Sequence, residues 1–167
     1  MVKDEISLRP AEPTDAVRLF QWVNEPKVRA MAINSSTISW ANHLTWFQTS
    51  LKSANCDIFI ANYGAHSIGQ IRIDWRLVNG LVDIHLADDF RSKGFGSAML
   101  KMAVNRMRDK HPCNLLTAFV KIGNAASSNL FLKSGFVYRG VAVIDGYLCY
   151  EYSFLLAKFV EFDKVSG

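Results

Sequence analysis

The 167-residue chain has no apolar run near the roughly 20 residues that a bilayer-crossing helix requires. Its first residues, MVKDEISLRP, are polar, which predicts no signal peptide and a cytoplasmic protein. Cysteine is sparse: Cys56, Cys113 and Cys149 are odd in number and far apart. That pattern is no disulfide framework; it reads as buried free thiols in a reducing compartment. The four histidines are scattered without metal-ligand spacing, so no metal is expected. The net charge is only +4, and the aromatics do not interleave with a basic stripe. Nucleic acid is therefore not an expected partner, whereas a compact anionic ligand suits the small basic excess. No internal repeat, low-complexity segment or linker divides the chain, so residues 1–167 read as a single domain.

What is there is globular. Half of the residues are hydrophobic and a fifth are charged, enough apolar matter for one core. ISLRPAE alternates and ends at Pro10, which predicts a first strand. Asp15 is placed to cap a helix carrying Val17, Leu19, Phe20 and Val23, and Pro26 predicts its end. After a polar loop, INSST, Ser39 is placed to cap a second helix with Trp40, Leu44, Phe47 and Leu51 at helical spacing. DIFIANY and SIGQIRIDW read as strands turning at Tyr63-Gly64-Ala65. Asn79-Gly80 predicts a tight turn into LVDIHLA, which completes an antiparallel meander. Next come a helix striped with Met99, Leu100, Ala103, Val104 and Met107, the strand LLTAFV, and a helix over residues 125–134 that Gly135 can end. VYRGVAVI, the turn Asp145-Gly146 and YLCYEYSFLL form a last hairpin. The strand–helix–strand passage in the middle requires one parallel pair. The expected class is α/β of the α+β kind: a mixed, mostly antiparallel twisted sheet with helices on both faces.

The stretch DFRSKGFGSAML directly follows the strand LVDIHLA. A P-loop needs its lysine after the second glycine, and here Lys93 precedes Gly94. A dinucleotide fingerprint needs a third glycine, where Met99 stands. On the loop alone two readings stay open. One is a pyrophosphate seat built from backbone amides, the next helix's N-terminus, Arg91 and Lys93; the other is an ordinary strand-to-helix turn.

FRSKGFGSAML resembles the Arg/Gln-x-x-Gly-x-Gly/Ala loop of the GNAT N-acetyltransferases, which use acetyl-coenzyme A (acetyl-CoA). NAASSNLFLKSGF resembles that family's second signature, N-x-x-A-x-x-L-Y-x-K-x-G-F. Asn124, Ser127, Leu130, Phe131, Lys133, Gly135 and Phe136 fall on its positions. The resemblance covers nearly the whole chain and implies one N-acetyltransferase domain over 1–167. Its central parallel pair would be splayed at the cofactor cleft, commonly with a bulge in the fourth strand. The pyrophosphate would sit on the amides of Arg91, Ser92, Lys93, Gly94, Phe95, Gly96 and Ser97. The pantetheine arm would pair with the backbone of Leu86 and Ala87 like an added strand. Asn124 would lie near the thioester, with Ser127 and Phe131 along the same channel. Family members often draw the leaving-group proton from the tyrosine that Phe131 replaces. No acid is therefore assigned, and Tyr138, Tyr150 and Tyr152 are candidates by type alone.

An ammonium cannot attack a thioester, so a base is useful. In VDIHLA, Asp83 and His85 alternate and share a strand face. His85 has the ordinary pKa for work near neutrality, and Asp83 would raise it and orient the ring. A structural strand histidine is the competing reading. Glu25 is a second candidate, against a solvated turn carboxylate.

The segment QWVNEPKVRAMAINSSTISWANHLTWFQTSL holds W-x-N-x-x-x-V-R, a polar loop, then H-x-x-W-F. This resembles a subgroup that acetylates the 4-amino group of UDP-linked deoxy sugars in pseudaminic acid biosynthesis and related pathways. It implies an acceptor site at Asn24, Glu25, Arg29, His43, Trp46 and Phe47. Arg29 would meet a phosphate, and an aromatic would stack on uracil or sugar. Core packing is the competing reading for Trp46 and Phe47. The alternatives are a protein Nα-acetyltransferase of the ribosomal-protein type and a non-catalytic acetyl-CoA-binding domain. Aminoglycosides are less expected, because the chain is not notably acidic. The expected partners are acetyl-CoA and a small amine, with neither nucleic acid nor membrane. Monomer and homodimer both stay open, since YLCYEYSFLLAKFVEF suits an interface or a core strand.

Overall fold

The computed structural model describes residues 6–111 and 114–157. Seven strands form one sheet: β1 (Ile6–Pro10), β2 (Cys56–Tyr63), β3 (His66–Arg76), β4 (Asn79–Leu86), β5 (Leu115–Lys121), β6 (Val137–Ile144) and β7 (Tyr147–Leu155). Their spatial order is β1-β2-β3-β4-β5-β7-β6, with every pair antiparallel except β4 with β5. The connection between those two is α4 (Phe95–Lys110), a crossover long enough to return the chain in the same direction. With α5 (Ala125–Lys133), α4 covers one face of the sheet. On the other face lie α1 (Ala16–Val23) and α3 (Trp40–Lys52). Alternation along β2 serves both layers: Phe59 and Ala61 pack with α4, whereas Ile58 and Ile60 pack with Leu19, Trp22 and Phe47. The stripe Met99, Leu100, Ala103, Val104 and Met107 is buried as its spacing requires.

Several local signals act as expected. The Ser39 hydroxyl accepts from the Asn42 amide at 3.3 Å and starts α3. Gly135 takes φ +88 after α5, and the Phe136 amide returns to the Phe131 carbonyl. Asp145 and Gly146 both have positive φ, as a two-residue hairpin turn demands. Cys56 and Cys149 are free thiols, and Cys113 lies outside the described residues. Burial, then Asp74, pushes the Cys56 thiol up to about 12, so it stays protonated. Among the described residues no helix is long and apolar enough to cross a membrane.

Other signals were used differently. Pro26 does not only end α1; it opens a short helix, α2 (Pro26–Met31). Proline lacks an N–H that this first position would leave unpaired anyway. Asp15 does not cap α1 with its side chain. Its carboxylate binds Arg9 in a bidentate manner at 2.7 Å and accepts from the Glu12 amide, tying β1 to the turn before α1. The expected bulge in β4 is absent: its register with β3 runs unbroken from Asn79 to Leu86. β7 is an interior strand between β5 and β6, so Tyr147–Leu155 serves the core; residues 158–162 of that stretch lie outside the described residues.

The tight turn is Leu77-Val78, with Leu77 at φ +56, and Asn79-Gly80 already belongs to β4. Gly80 is needed for space instead. A Cβ there would lie 2.8 Å from Ile73 and Trp75 and 2.9 Å from Leu116. Gly80→Ala is expected to cost about 2 kcal/mol through overpacking. The urea midpoint checks this, and an unchanged midpoint would contradict it.

Candidate active site

β4 and β5 pair only from Asn79 to Leu81 against Leu115 to Thr117. Beyond that they part, and the outward backbone of β4 has no strand to meet. In an antiparallel ladder successive residues turn their N–H and C=O groups to opposite sides. Ala87 N–H bonds the Ile68 carbonyl, so odd residues of β4 face β3. Ile84 and Leu86 therefore face the cleft. Of the two residues expected to meet the pantetheine arm, Leu86 faces the cleft, whereas the Ala87 amide is bonded to Ile68 of β3.

The loop after β4 turns through two left-handed residues into a helix N-terminus. Ser92 (φ +60) and Gly94 (φ +84) flank Lys93 with left-handed backbone, and α4 starts at Phe95. The first helical bond is Ala98 N–H to the Gly94 carbonyl, so the amides of Phe95, Gly96 and Ser97 precede the helical ladder. The two glycines differ in purpose. Gly94 supplies the backbone conformation, whereas Gly96 lets α4 approach α5, because a Cβ there would come 3.3 Å from Leu130. The cations turn inward. Arg91 Nε donates to the Leu86 carbonyl, and its other nitrogens meet Asp88 at 2.8 Å and Glu25 at 3.1 Å. Lys93 Nζ donates to the Asp89 carbonyl. An anion at this loop would therefore meet amides and the helix N-terminus rather than side-chain charge.

α2 lies across the parting. Near its start Glu25 and Lys27 bind Arg91 and Asp88, which follow β4. Near its end the Ala30 carbonyl accepts from Lys121, the last residue of β5, at 3.3 Å. The pattern residues Asn24 and Arg29 fix the loop after α2. Asn24 exchanges two hydrogen bonds with the Ile38 backbone, at 3.0 and 2.9 Å. Arg29 donates to the carbonyls of Val23, Asn34 and Ser36.

His43 is 2 % exposed; its Nε2–H donates to the Ala16 carbonyl, and its ring packs among Phe20, Trp40, Trp46 and Phe47. Burial holds its pKa down. Phe47 is core at 1 % exposure. The Trp46 ring carries the Arg72 guanidinium at 5.0 Å. His43 and the two aromatics thus bind α3 to α1 and the sheet, and the side chains of His43 and Phe47 are buried rather than turned to the cleft surface.

His85 and Asp83 do share the α1 face of β4. Their relation is not the expected one. Asp83 is half exposed and points to Arg72 at 3.9 Å. His85 is 9 % exposed, packs on Trp22, and has its pKa pushed down to about 4. Burial is the main cause and the charge of Arg91 the next; Asp83 offsets them only in part. Opposite His85 on β3 stands Gln70, a residue the motifs did not single out. Its only sequence signal is a lone amide in the apolar run SIGQIRI.

Asn124 caps α5 by accepting from the Ser127 amide at 3.2 Å, a bond that does not use its NH2 group. Phe131 is a core ring at 3 % exposure, stacked on Tyr152 and edge-on to Phe136. Tyr152 is equally buried, whereas Tyr138 is exposed.

A neutral His85 implies a simple titration. Its folded pKa lies below the ordinary 6.5, so its environment favours the fold above pH 6.5, and that contribution fades as pH falls through 4. The imidazole NMR signal of His85 should titrate near pH 4; a midpoint at or above 6.5 would contradict the burial argument.

Comparison with known proteins agrees with this geometry. The family model described as "Acetyltransferase (GNAT) domain" matches residues 5–137. An L-methionine sulfoximine/L-methionine sulfone acetyltransferase from Pseudomonas aeruginosa is 26% identical over 141 residues, 80% of this chain and 81% of that protein. Among solved structures, an aminoglycoside acetyltransferase in complex with ribostamycin and coenzyme A superposes with TM-score 0.80 at 15% identity, over 91% of this chain and 94% of that one. A spermidine N-acetyltransferase from Vibrio cholerae in complex with CoA and spermine gives TM-score 0.80 at 16% identity, over 91% and 96%. The parted parallel pair, the amide-lined loop and the family match have one consequence: the chain belongs to the GNAT acetyltransferase family and is an acetyl-CoA-dependent N-acetyltransferase.

Proposed function

We propose that the acceptor is the primary amine of a nucleotide-linked amino sugar, of the UDP-4-amino-4,6-dideoxy type. The supporting observation is the use made of the Trp22-to-Arg29 pattern. Asn24 and Arg29 fix the loop over residues 34–38, and Glu25 ties α2 to the cofactor side. A pattern spent on one rigid wall over the cleft is what a shared acceptor shape would require. Arg29 has no role as a phosphate clamp in this reading, because its donors serve backbone carbonyls. Lys121 takes that place: it stands at the cleft and its ammonium keeps donors beyond the one on Ala30.

Acetyl-CoA supplies the activated thioester. The amides of Phe95 to Ser97 and the loop before them bind its pyrophosphate. Ile84 and Leu86 offer their backbone to the pantetheine arm, and Asn124 its NH2 group. Carrying a neutral imidazole at working pH, His85 acts as proton acceptor through water rather than as a charged partner of Asp83. Tyr152 is buried in the core and Tyr138 is exposed; no acid is assigned in place of the one lost at Phe131, and a thiolate of modest pKa leaves without one.

A second reading has its own observation, the 26% identity to a methionine sulfoximine acetyltransferase over 80% of the chain. On that reading the acceptor is the amine of a small amino acid, with its carboxylate near Lys121. Release of free coenzyme A thiol on UDP-4-amino sugars, L-methionine sulfoximine, peptides and spermidine separates the cases. The nucleotide sugar should exceed the others in kcat/KM by about 100-fold. Turnover confined to methionine sulfoximine selects the second reading, and turnover confined to peptides removes both. Lys121→Ala should raise the acceptor KM by about 10-fold, the loss of one charged hydrogen bond, and leave the KM for acetyl-CoA unchanged. Equal KM values for acceptor in both proteins would exclude Lys121.

A further inference from the structure

We infer that Gln70 and His85 jointly hold one buried water molecule at the parting of the sheet, and that Gln70 is a positioning residue for proton removal from the acceptor amine. The inference deepens the acetyl-transfer reading of this site and rests on it.

The two residues are direct partners across β3 and β4, so their side chains leave the same face, towards α1. They are 7 % and 9 % exposed. Gln70 Oε1 and His85 Nε2 are each buried without a hydrogen-bond partner in the protein. One such atom costs about 1–3 kcal/mol. Two at adjacent positions on one face point to a shared partner, and buried water is the usual one. The place is also apt, because β4 has already left β5 at this level.

The two atoms define how the water is held. Oε1 only accepts, and Nε2 of a neutral imidazole accepts when Nδ1 carries the proton. The water then donates one hydrogen to each, and its lone pairs turn away from both. An ammonium N–H proton passes to the water oxygen as a water proton passes to Nε2. The bonds broken are one N–H and one O–H; those formed are one O–H and one N–H. The freed amine lone pair is left to attack. The charges that act on the ring are Arg91 after β4 and Asp83 on it; Arg72 of β3 pairs with Asp83 and Asp74, Glu25 pairs with Arg91, and the uncharged Trp22 of α1 packs on the ring.

A crystal structure of the wild-type protein with coenzyme A, at a resolution that shows ordered water, is the direct test. Density within hydrogen-bonding distance of both Gln70 Oε1 and His85 Nε2 is expected; a direct side-chain bond or an empty space there overturns the site. Kinetics, with any amine the enzyme turns over, tests the role. Gln70→Leu should lower kcat by about 100-fold, the lower end for proton relays, with both KM values kept. Gln70→Glu, which restores an acceptor oxygen, should recover most of kcat and move the acid limb of its pH profile upward. Wild-type kcat in Gln70→Leu overturns the positioning role. Full activity of His85→Ala would instead remove His85 as proton acceptor, and the density would still decide whether the water is there.

Discussion

Every backbone N–H and C=O in a sheet needs a partner, and β4 stops receiving them from β5 after Leu81. The chain does not close this gap with a strand of its own, because after Leu86 it turns through the loop that leads to α4. Ile84 and Leu86 turn their backbone to the side that β5 has left, with Arg91 on the Leu86 carbonyl, near the first amides of α4. A ligand that is extended at one end and anionic at the other would suit both sets. The rest of the site follows from keeping that gap open. Gly96 brings α4 onto α5 beside it, and Arg91 props Leu86 from the loop.

The acceptor side is built on the same gap from the opposite direction. α2 is too short to be stable alone. It is held at one end by Arg91 and Asp88 and at the other by Lys121, so it sits across the two parted strands. Arg91 is shared between both halves. It holds the loop after β4, it binds Glu25, and its charge adds to the burial that holds the His85 pKa down.

The cofactor half was legible in the sequence because its chemistry is local. Gly94, the helix that follows it, and the Asn124–Gly135 signature act within a few residues, and each took its expected form. The acceptor half was less legible because its residues act at long range. Asn24 reaches Ile38, Arg29 reaches Ser36, and His43 reaches Ala16; the pattern marks them without telling contact with ligand from support of a wall. The Asn79-Gly80 pair misled by two residues for a similar reason. The need for glycine came from Trp75 and Leu116 packing above it, not from the turn. His85 was expected to be raised by Asp83, but neighbours on a strand face need not touch. Burial against Trp22 outweighed the carboxylate.

The central claim is that acetyl-CoA completes the open edge of β4 and the start of α4. Amide hydrogen exchange with and without coenzyme A measures this residue by residue. Slower exchange at Ile84, Leu86 and the amides of Phe95 to Ser97 is the predicted result. Unchanged exchange at those five positions, with protection appearing elsewhere, would contradict it.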